Sequence, residues 1–589
     1  MPGIMGIINK KMIKQTSKVS SSLITEVIEY KNIFLQRDTL PKFLNDKVFF
    51  ETEKKIFILE GVIFNINELI IEYKQKNWKA TLIAMSNKNE DSFFNEFRGS
   101  FSGFYYDKIT KKSIIFTDHI GDKPIYYYVR KGELIFSSEI NTIIRLLINN
   151  HIEYNLDEKG VYSLLTHGYM IEDLTPFKEI KRLKAGCSIT LKADKQYTIN
   201  RYHLLNNEPN DSLSDEEIIN TIDMLFKKAM LRQVNKNKEY GYSDIAPLSA
   251  GLDSRMTAWV LSQQTKQVLN ITYSQSNYLD EIIPKKISAE LKTHLLFKTL
   301  DNGLSLKYLD EMVKKNASVV LYGGPAQVWD TFHLLDQSNI GVIHTGMLGD
   351  VVVGTFYKSL ERNKKYSIED GVYSKFLINE FKDVLKDYKI ENYKNQEIFN
   401  FYNRGFNGAN MGAPLVFQEF TESYSPFYDI DFLEFCLTIP MEKRWRHYIY
   451  DKWVIDKYPE AAKYTHNGRK ITYDKGNNFK VLGKDISLDN FGNRLKSFLL
   501  KKLGISKNSM ETIHHMNPFD YWYNTNDDLK IYMDNYFNDT IIKINMNDLE
   551  LNLKNMYFNG TTIDKTQVLT FLSLYENYFD SPEWLYEKI

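Results

Sequence analysis

The sequence predicts a mixed chain: an α+β, β-rich N-terminal sandwich domain, then an α/β domain on a doubly wound parallel sheet, then a helical C-terminal extension. Three observations lead there. Residues 1–203 break into short alternating runs separated by turn residues, the mark of antiparallel strands. From Ser214 onward strands alternate with helices, which favours a parallel sheet covered on both faces. Beyond about residue 360 the pattern turns mainly helical, with aromatic-rich faces. The polar, proline-containing stretch Asn206–Asp211 reads as a linker. The expected domains are therefore 1–203, 212–480 and 481–589.

The elements follow in order. Lys55–Val62, Ser102–Tyr106, Ser113–Thr117, Pro124–Tyr128 and Leu134–Ser137 alternate apolar and polar residues as half-buried strands do. Ser214 and Glu217 have capping-box spacing and open a helix through Met230. Val268–Tyr273 reads as a strand, Pro284–Leu291 as a helix and Ile340–Thr345 as another strand.

Composition removes several function classes. The 589 residues are 43% hydrophobic, enough for two large domains to bury cores, so disorder is excluded. Basic and acidic residues balance at 75 each; nothing global attracts nucleic acid, and the run Lys10–Lys14 reads as a solvated face. Two cysteines, Cys187 and Cys436, in apolar settings suit a reducing cytosol without disulfides. The apolar opening Ile4–Ile8 is too short for a secretory core, and no run reaches membrane-span length. A cytoplasmic chain without membrane insertion is expected.

The chemistry concentrates in Pro247–Arg255. An apolar lead-in runs into Leu248-Ser249-Ala250-Gly251-Leu252-Asp253-Ser254, then into an amphipathic run from Met256 to Leu261. Small residues at a strand-to-helix turn let backbone N–H groups approach a phosphate, and the helix N-terminus adds partial positive charge. Asp253 offers an oxygen ligand to Mg²⁺. An ordinary turn with Asp253 or Ser254 as helix cap has the same appearance, so other residues must decide. There is no G-x-G-x-x-G here and no Gly-Lys-Ser/Thr ending, which sets aside dinucleotide and Walker-type loops. A second marker, Thr345-Gly346-Met347-Leu348-Gly349-Asp350, directly follows an apolar run; acids at strand ends of such a sheet face the ligand crevice. Ser425-Pro426-Phe427-Tyr428-Asp429 is a third. Lys452-Trp453-Val454-Ile455-Asp456, Tyr458-Pro459 and Arg469-Lys470 form a fourth.

In this order and at these intervals the markers resemble the asparagine-synthetase-like enzymes, whose motifs are Ser-Gly-Gly-Leu-Asp-Ser, Ser-Gly-Glu-Gly-x-Asp, Pro-Phe-Leu-Asp, a Lys-x-x-Leu-Arg helix, Leu-Pro and Arg-x-Lys. The N-terminal part is similar to that family's glutaminase domain in Gly3–Ile7, Glu60–Asn65, Phe97–Phe101, Asp118 with Gly121, Lys123 and Pro124, Ser137–Glu139, Leu183, Gly186 and the Tyr202 region. The resemblance covers roughly residues 1–475. It implies an Ntn-type N-terminal fold and an ATP-pyrophosphatase domain that adenylates a carboxylate, releases pyrophosphate and lets an amine displace AMP. ATP and Mg²⁺ are the implied cofactors. Leu248, Ser249, Gly251, Ser254 and Gly346 would hold ATP and its pyrophosphate, Asp253 and Asp350 the metal. Lys470 is matched to the catalytic lysine, which neutralises charge on the reacting oxygens, and Lys452 to the helix lysine; here the arginine is adjacent to Lys470 instead of two residues earlier.

The departures are specific. The nucleophilic cysteine of the glutaminase domain is Pro2, which carries no nucleophile. The oxyanion-holding asparagine is Glu60, whose charge opposes an oxyanion. The glutamine-gripping Gly-Asp pair has no match near Trp78–Leu82. On the synthetase side, the glutamate thought to deprotonate the amine is Met347. The resulting expectation is an ATP-dependent, AMP-forming amide ligase no longer fed by glutamine, with a small-molecule or peptide carboxylate and a separate amine donor. A lasso-peptide-type macrolactam cyclase is one alternative, amidation of a uronic acid in surface-polysaccharide synthesis another, and a non-catalytic nucleotide- or partner-binding pseudoenzyme a third. A homodimer or a biosynthetic partner protein is compatible with each. The aromatic stretch from Asn517 to Tyr523 reads as additional helical core.

Overall fold

The computed structural model describes residues 2–9, 22–192, 196–361, 363–466, 470–472, 478–481, 484–487, 509–544 and 546–586. The basic run Lys10–Lys14 and Arg469 lie outside the described residues.

Among the described residues up to Arg201 there are twelve strands: β1 (Gly3–Ile8), β2 (Ile24–Tyr30), β3 (Ile33–Thr39), β4 (Phe49–Glu51), β5 (Lys55–Ile63), β6 (Gly99–Asp107), β7 (Lys112–Thr117), β8 (Tyr126–Arg130), β9 (Glu133–Ser137), β10 (Ile180–Arg182), β11 (Cys187–Leu191) and β12 (Tyr197–Arg201). They form two antiparallel sheets, ordered β10-β8-β9-β1-β3-β2 and β12-β11-β7-β6-β5-β4. Ile4, Leu35 and Phe136 of the first sheet share a buried cluster with Ile56, Phe104 and Ile189 of the second. Alternation along the strands thus sends one side chain in two between the sheets. The expected runs fall inside β5 to β9. The strand expected from Pro124 begins at Tyr126, since proline has no N–H for the ladder.

Helix α1 (Asp215–Tyr240) opens on the expected capping box: Ser214 Oγ accepts from Glu217 N, and the Glu217 carboxylate accepts from Ser214 N. It runs past Met230 to Tyr240 and stops at Gly241, whose φ of 73° is the left-handed cap that glycine adopts readily. Next come β13 (Ser243–Pro247), α2 (Leu252–Gln264), β14 (Val268–Ser274), α3 (Leu279–Leu291), β15 (His294–Thr299) and β16 (Ile340–His344). Helix α3 begins five residues before the expected Pro284, because that proline sits one turn inside instead of opening the helix. The last strand of this sheet, β17 (Ser423–Tyr424), lies in the region read as helical; two residues are too few to show a period. Further on, Asn478–Val481 and Lys484–Ser487 form a separate antiparallel pair in that same region.

The sheet order is β15-β14-β13-β16-β17, with every pairing parallel. The chain winds outward from β13 in both directions, so β13 and β16 flank the switch point where such sheets take ligands at their C-terminal ends. Both faces are covered. Ile245, Ile271 and Ile343 join one buried cluster, while Ala246, Val268 and Val342 join another with α1 and α2.

The chain continues through α4 (Tyr448–Lys457) to α5 (Phe519–Thr525), α6 (Asp527–Ile541), α7 (Asn547–Asn559) and α8 (Thr562–Tyr575). Trp522, Met533, Met556 and Leu569 of these last helices share a single buried cluster with Leu164 of the N-terminal region and Leu309 beside the parallel sheet. Trp522 Nε1 donates to Gln275 Oε1 at 2.7 Å just beyond β14, and Gln567 donates to Leu164 O at 3.2 Å. The extension is core, as its aromatic spacing predicts. No helix among the described residues is long and apolar enough to cross a membrane.

Candidate active site

Strand β13 delivers the loop Leu248–Ser254 to the switch point. Leu248 is buried and tied to the neighbouring strand: its N–H donates to Ile271 O at 2.9 Å, and its carbonyl accepts from Thr272 Oγ1 at 2.5 Å. Ser249 and Ser254 close the loop on itself. Ser254 Oγ accepts from Ser249 N at 2.9 Å, the two hydroxyls lie 2.8 Å apart, and Ser249 Oγ accepts from Gly251 N at 3.1 Å. Asp280, on α3, accepts from Ala250 N at 2.6 Å. Gly251 stands at the N-cap of α2 without a side-chain cap. The N–H groups of that first turn thus face the loop with no cap to satisfy them, the arrangement that suits an anion.

Strand β16 brings the second acid alongside. Asp253 Oδ2 accepts from Asp350 N at 2.8 Å. A Cβ on Gly346 would lie 2.6 Å from Ser254 N, and one on Gly349 2.6 Å from Asp253 Cγ, so only glycine fits at either position. Desolvation pushes the Asp253 carboxyl up, and the nearby Asp350 adds to the shift; Asp350 is raised by desolvation too, with His447 and Arg404 pulling against it. Two adjacent carboxylates with raised pKa values are a donor set that a hard divalent cation would relieve, and Mg²⁺ characteristically takes one or two carboxylates together with substrate phosphates. The residues present fit that ion.

Phe427 and Ser425 of the Pro-Phe-Tyr-Asp marker support this second loop. Ser425 Oγ donates to Met347 O at 3.1 Å, and the Phe427 ring lies against Gly349. Asp429 is held at 2.9 Å by Arg232 of α1. Met347 is half-buried and offers no proton acceptor.

The two lysines part company. Lys452 points to Asp215 at 3.5 Å, at the start of α1. At ~100° per residue, Lys452 stands about 200° around α4 from Tyr450, which is the residue that meets Asp253. Lys470 is exposed. The segment leading to it is fastened to the loop by Arg255, which is fully buried. Its guanidinium donates to Ala250 O at 2.8 Å, Tyr464 O at 2.9 Å and Thr465 O at 2.7 Å. Five residues span at most about 17 Å, so Lys470 stays within that reach of Thr465.

Sequence reasoning missed Arg255 and Tyr450. Arg255 follows the loop motif directly, and a basic residue at that point of an apolar helix was a usable signal. Tyr450 carried none, because only the turn of α4 selects it.

The N-terminal region holds a second polar site. Pro2 lines a recess of about 10 Å³ with Glu60, Lys123, Ser138 and Gln418 among others, room for about one water. Glu60 does not face it as a free charge. Lys47 Nζ lies 2.9 Å from Glu60 Oε1 and 3.2 Å from Glu422 Oε1, and Lys123 Nζ lies 2.8 Å from Glu422 Oε2. The four side chains are 0%, 1%, 2% and 6% exposed for Lys47, Glu60, Glu422 and Lys123. Glu422 directly precedes β17, so this neutral tetrad joins the antiparallel sheets to the edge of the parallel one. Burial alone would lower the Lys47 pKa, yet Glu60 and Glu422 hold it above its ordinary value. Burial would raise Glu422, but Lys123 and Lys47 bring it down to about 2.

Residues 47–203 match a family model described as a glutamine amidotransferase domain. The chain is 21% identical over 274 residues to the glutamine-hydrolyzing asparagine synthetase 1 of Bacillus subtilis, covering 45% of this chain and 42% of that one. A Methanocaldococcus jannaschii protein named for the same activity is 25% identical over 300 residues, 46% of this chain and 57% of its own. The chain is thus similar to asparagine synthetases at low identity. It spans about half the length of these curated relatives. A solved glutamine phosphoribosylpyrophosphate amidotransferase from B. subtilis overlaps 50% of this chain and 75% of its own at 8% identity and a TM-score of 0.22, too slight a likeness to bear on the fold. The amidotransferase match takes in Lys47, Glu60 and Lys123. In this chain Lys47 and Lys123 of that matched region pair with Glu422, outside it.

Proposed function

We propose that this chain is an ATP-dependent amide-forming ligase that adenylates a carboxylate, releases pyrophosphate, and lets an amine displace AMP, with glutamine hydrolysis lost. The observation that carries the reading is the meeting of Asp253 and Asp350 at the switch point, beside the uncapped start of α2. Leu248, Ser249, Gly251, Ser254 and Gly346 would cradle ATP and the departing pyrophosphate through backbone N–H groups and hydroxyls. Asp253 and Asp350 would hold Mg²⁺, which when bound neutralises phosphate oxygens and orients them for in-line displacement. Lys470 would stabilise charge as the carboxylate oxygen attacks the α-phosphorus and again as the amine attacks the acyl carbon. Met347 leaves amine deprotonation to another group or to the substrate.

The loss of glutaminase chemistry is supported by the recess at Pro2. It contains no cysteine, and its carboxylate, Glu60, is committed to Lys47. The test is ATP–pyrophosphate exchange, run with a panel of amino acids, uronic acids and Asp- or Glu-containing peptides. Carboxylate-dependent exchange that disappears in Asp253→Asn and Lys470→Ala is expected. Absence of both exchange and ATP binding across the panel would overturn the reading. Glutamate release from glutamine is expected to be undetectable.

A further inference from the structure

Tyr450 holds a place in the crevice that the proposed chemistry has not used. It lies in the first turn of α4, and its side chain is fully buried. Its hydroxyl donates to Asp253 Oδ1 at 2.9 Å. The ring is fixed on several sides: Trp453 stacks on it at 5.7 Å and 22°, His447 lies at 6.1 Å, and Phe427 meets it edge-on at 6.3 Å. Phe427 is also the ring packed against Gly349, so one aromatic group supports both loops of the site. The turn that launches α4 is costly to make. Arg446 and His447 are successive residues in the left-handed region, at φ 52° and 63°.

Among the described residues, each oxygen of Asp253 has one hydrogen-bond donor. Tyr450 Oη–H serves Oδ1 and Asp350 N–H serves Oδ2. An ionised carboxylate has about four lone-pair sites, so each oxygen keeps one for a cation while its plane is fixed by two donors from different elements. Hydrogen-bond partners of this kind orient a metal ligand and account for much of the affinity.

We propose that Tyr450 is a positioning residue that orients the Asp253 carboxylate for divalent-cation binding, an inference that rests on the reading of Asp253 and Asp350 as the metal pair.

The test measures metal affinity directly, without turnover. Full-length protein is titrated with Mn²⁺ in the presence of an α,β-methylene ATP analogue, and free Mn²⁺ is followed by electron paramagnetic resonance. Wild type, Tyr450→Phe, Asp253→Asn and Trp453→Phe are compared, with metal-free melting recorded for each. Tyr450→Phe keeps the ring and loses only the hydroxyl, and it should weaken Mn²⁺ by about tenfold. Trp453→Phe disturbs the ring's packing and should lower the melting temperature while leaving Mn²⁺ affinity within twofold. Mn²⁺ affinity of Tyr450→Phe within twofold of wild type, while Asp253→Asn abolishes binding, would overturn the inference and leave the metal site standing. Equal weakening in Tyr450→Phe and Trp453→Phe would also overturn it, because packing alone would then explain the loss. Binding untouched by Asp253→Asn, or none in wild type, would overturn the reading of the site and the inference with it.

Discussion

Replacing Lys47 by methionine tests whether the N-terminal region is bolted to the synthetase-like sheet through charge. Lys47 is the centre of the tetrad, 2.9 Å from Glu60 and 3.2 Å from Glu422, and none of the three is more than 2% exposed. The substitution leaves Glu60 and Glu422 buried without Lys47, and among the described residues the ion pair of Lys123 is with Glu422. Removing one partner of a buried pair costs about 3–5 kcal/mol, because the remaining charge is left uncompensated. Adding Glu60→Gln should restore part of that, by roughly 1–3 kcal/mol, as expected for groups in one network. Urea titration followed by tryptophan fluorescence and by circular dichroism gives the four corners of the cycle. A Lys47→Met cost below about 1 kcal/mol, the range of an exposed pair, or a double variant no better than the sum of the singles, would refute the argument that these charges are buried and coupled.

The same network sets a pH dependence whose sign is fixed by Glu422. Its folded pKa is depressed from an ordinary 4.5 to about 2. A depressed carboxylate contributes its full stability above the unfolded value and loses it as pH falls through the folded one. The contribution should therefore be complete above about pH 4.5 and gone near pH 2, roughly 3 kcal/mol in all. Glu422→Gln should flatten the acid limb in that window, and an unchanged limb would contradict the pairing.

Three further outcomes are expected. Gly349→Ala places a methyl 2.6 Å from Asp253 Cγ, and misplacing that carboxylate by about 1 Å should cut ATP–pyrophosphate exchange on the order of 100-fold with the fold retained by circular dichroism. Asp350→Asn removes one of the two carboxyl groups proposed to hold the cation, so the chain should lose any stabilisation by Mg·ATP in thermal melts; an undiminished Mg·ATP shift would contradict that role. Trp522→Ala empties a fully buried site and leaves Gln275 Oε1 without its donor, so it should cost about 3–5 kcal/mol, readable as a lower denaturation midpoint.

The loop at Leu248–Ser254 was legible because everything defining it is local: an apolar strand, small residues and a helix start within one short stretch. Asp350 was legible for the same reason, as an acid after an apolar run. That the two acids touch depends on β16 lying beside β13, and this follows from parallel winding and not from either motif. Lys452 shows where spacing misleads. It matches a family position by spacing, and it stands about half a helical turn from Tyr450, the residue that meets Asp253. The tetrad was invisible for a different reason. Lys47, Glu60, Lys123 and Glu422 come from four distant stretches, and lysine and glutamate are so rarely buried that each alone reads as surface. Glu60 could be seen as unsuited to an oxyanion; its partner could not.

The pattern of departures has a steric basis. Gly346 and Gly349 press against Ser254 and Asp253 so closely that neither position can gain a Cβ without moving the first loop. Between them, Met347 and Leu348 pack against the buried cluster shared by α1 and α2. Leu348 sits at φ 60°, a conformation easier for the glycine that the family motif has there, and its side chain packs toward Gly405. The strain is local and leaves the glycine contacts intact. A chain under selection for a different amine could therefore alter 347 and 348 while the phosphate-side geometry stayed in place. On the proposed reading, that is why Asp253 and Asp350 remain in register while the glutamate at 347 is gone. On the same reading, the N-terminal recess has no comparable restraint, because Pro2 stands where the resemblance places the nucleophile. There Lys47 and Lys123 pair with Glu422, which joins the recess to the scaffold holding β17 and, with it, the Pro-Phe-Tyr-Asp support beside Asp253 and Asp350.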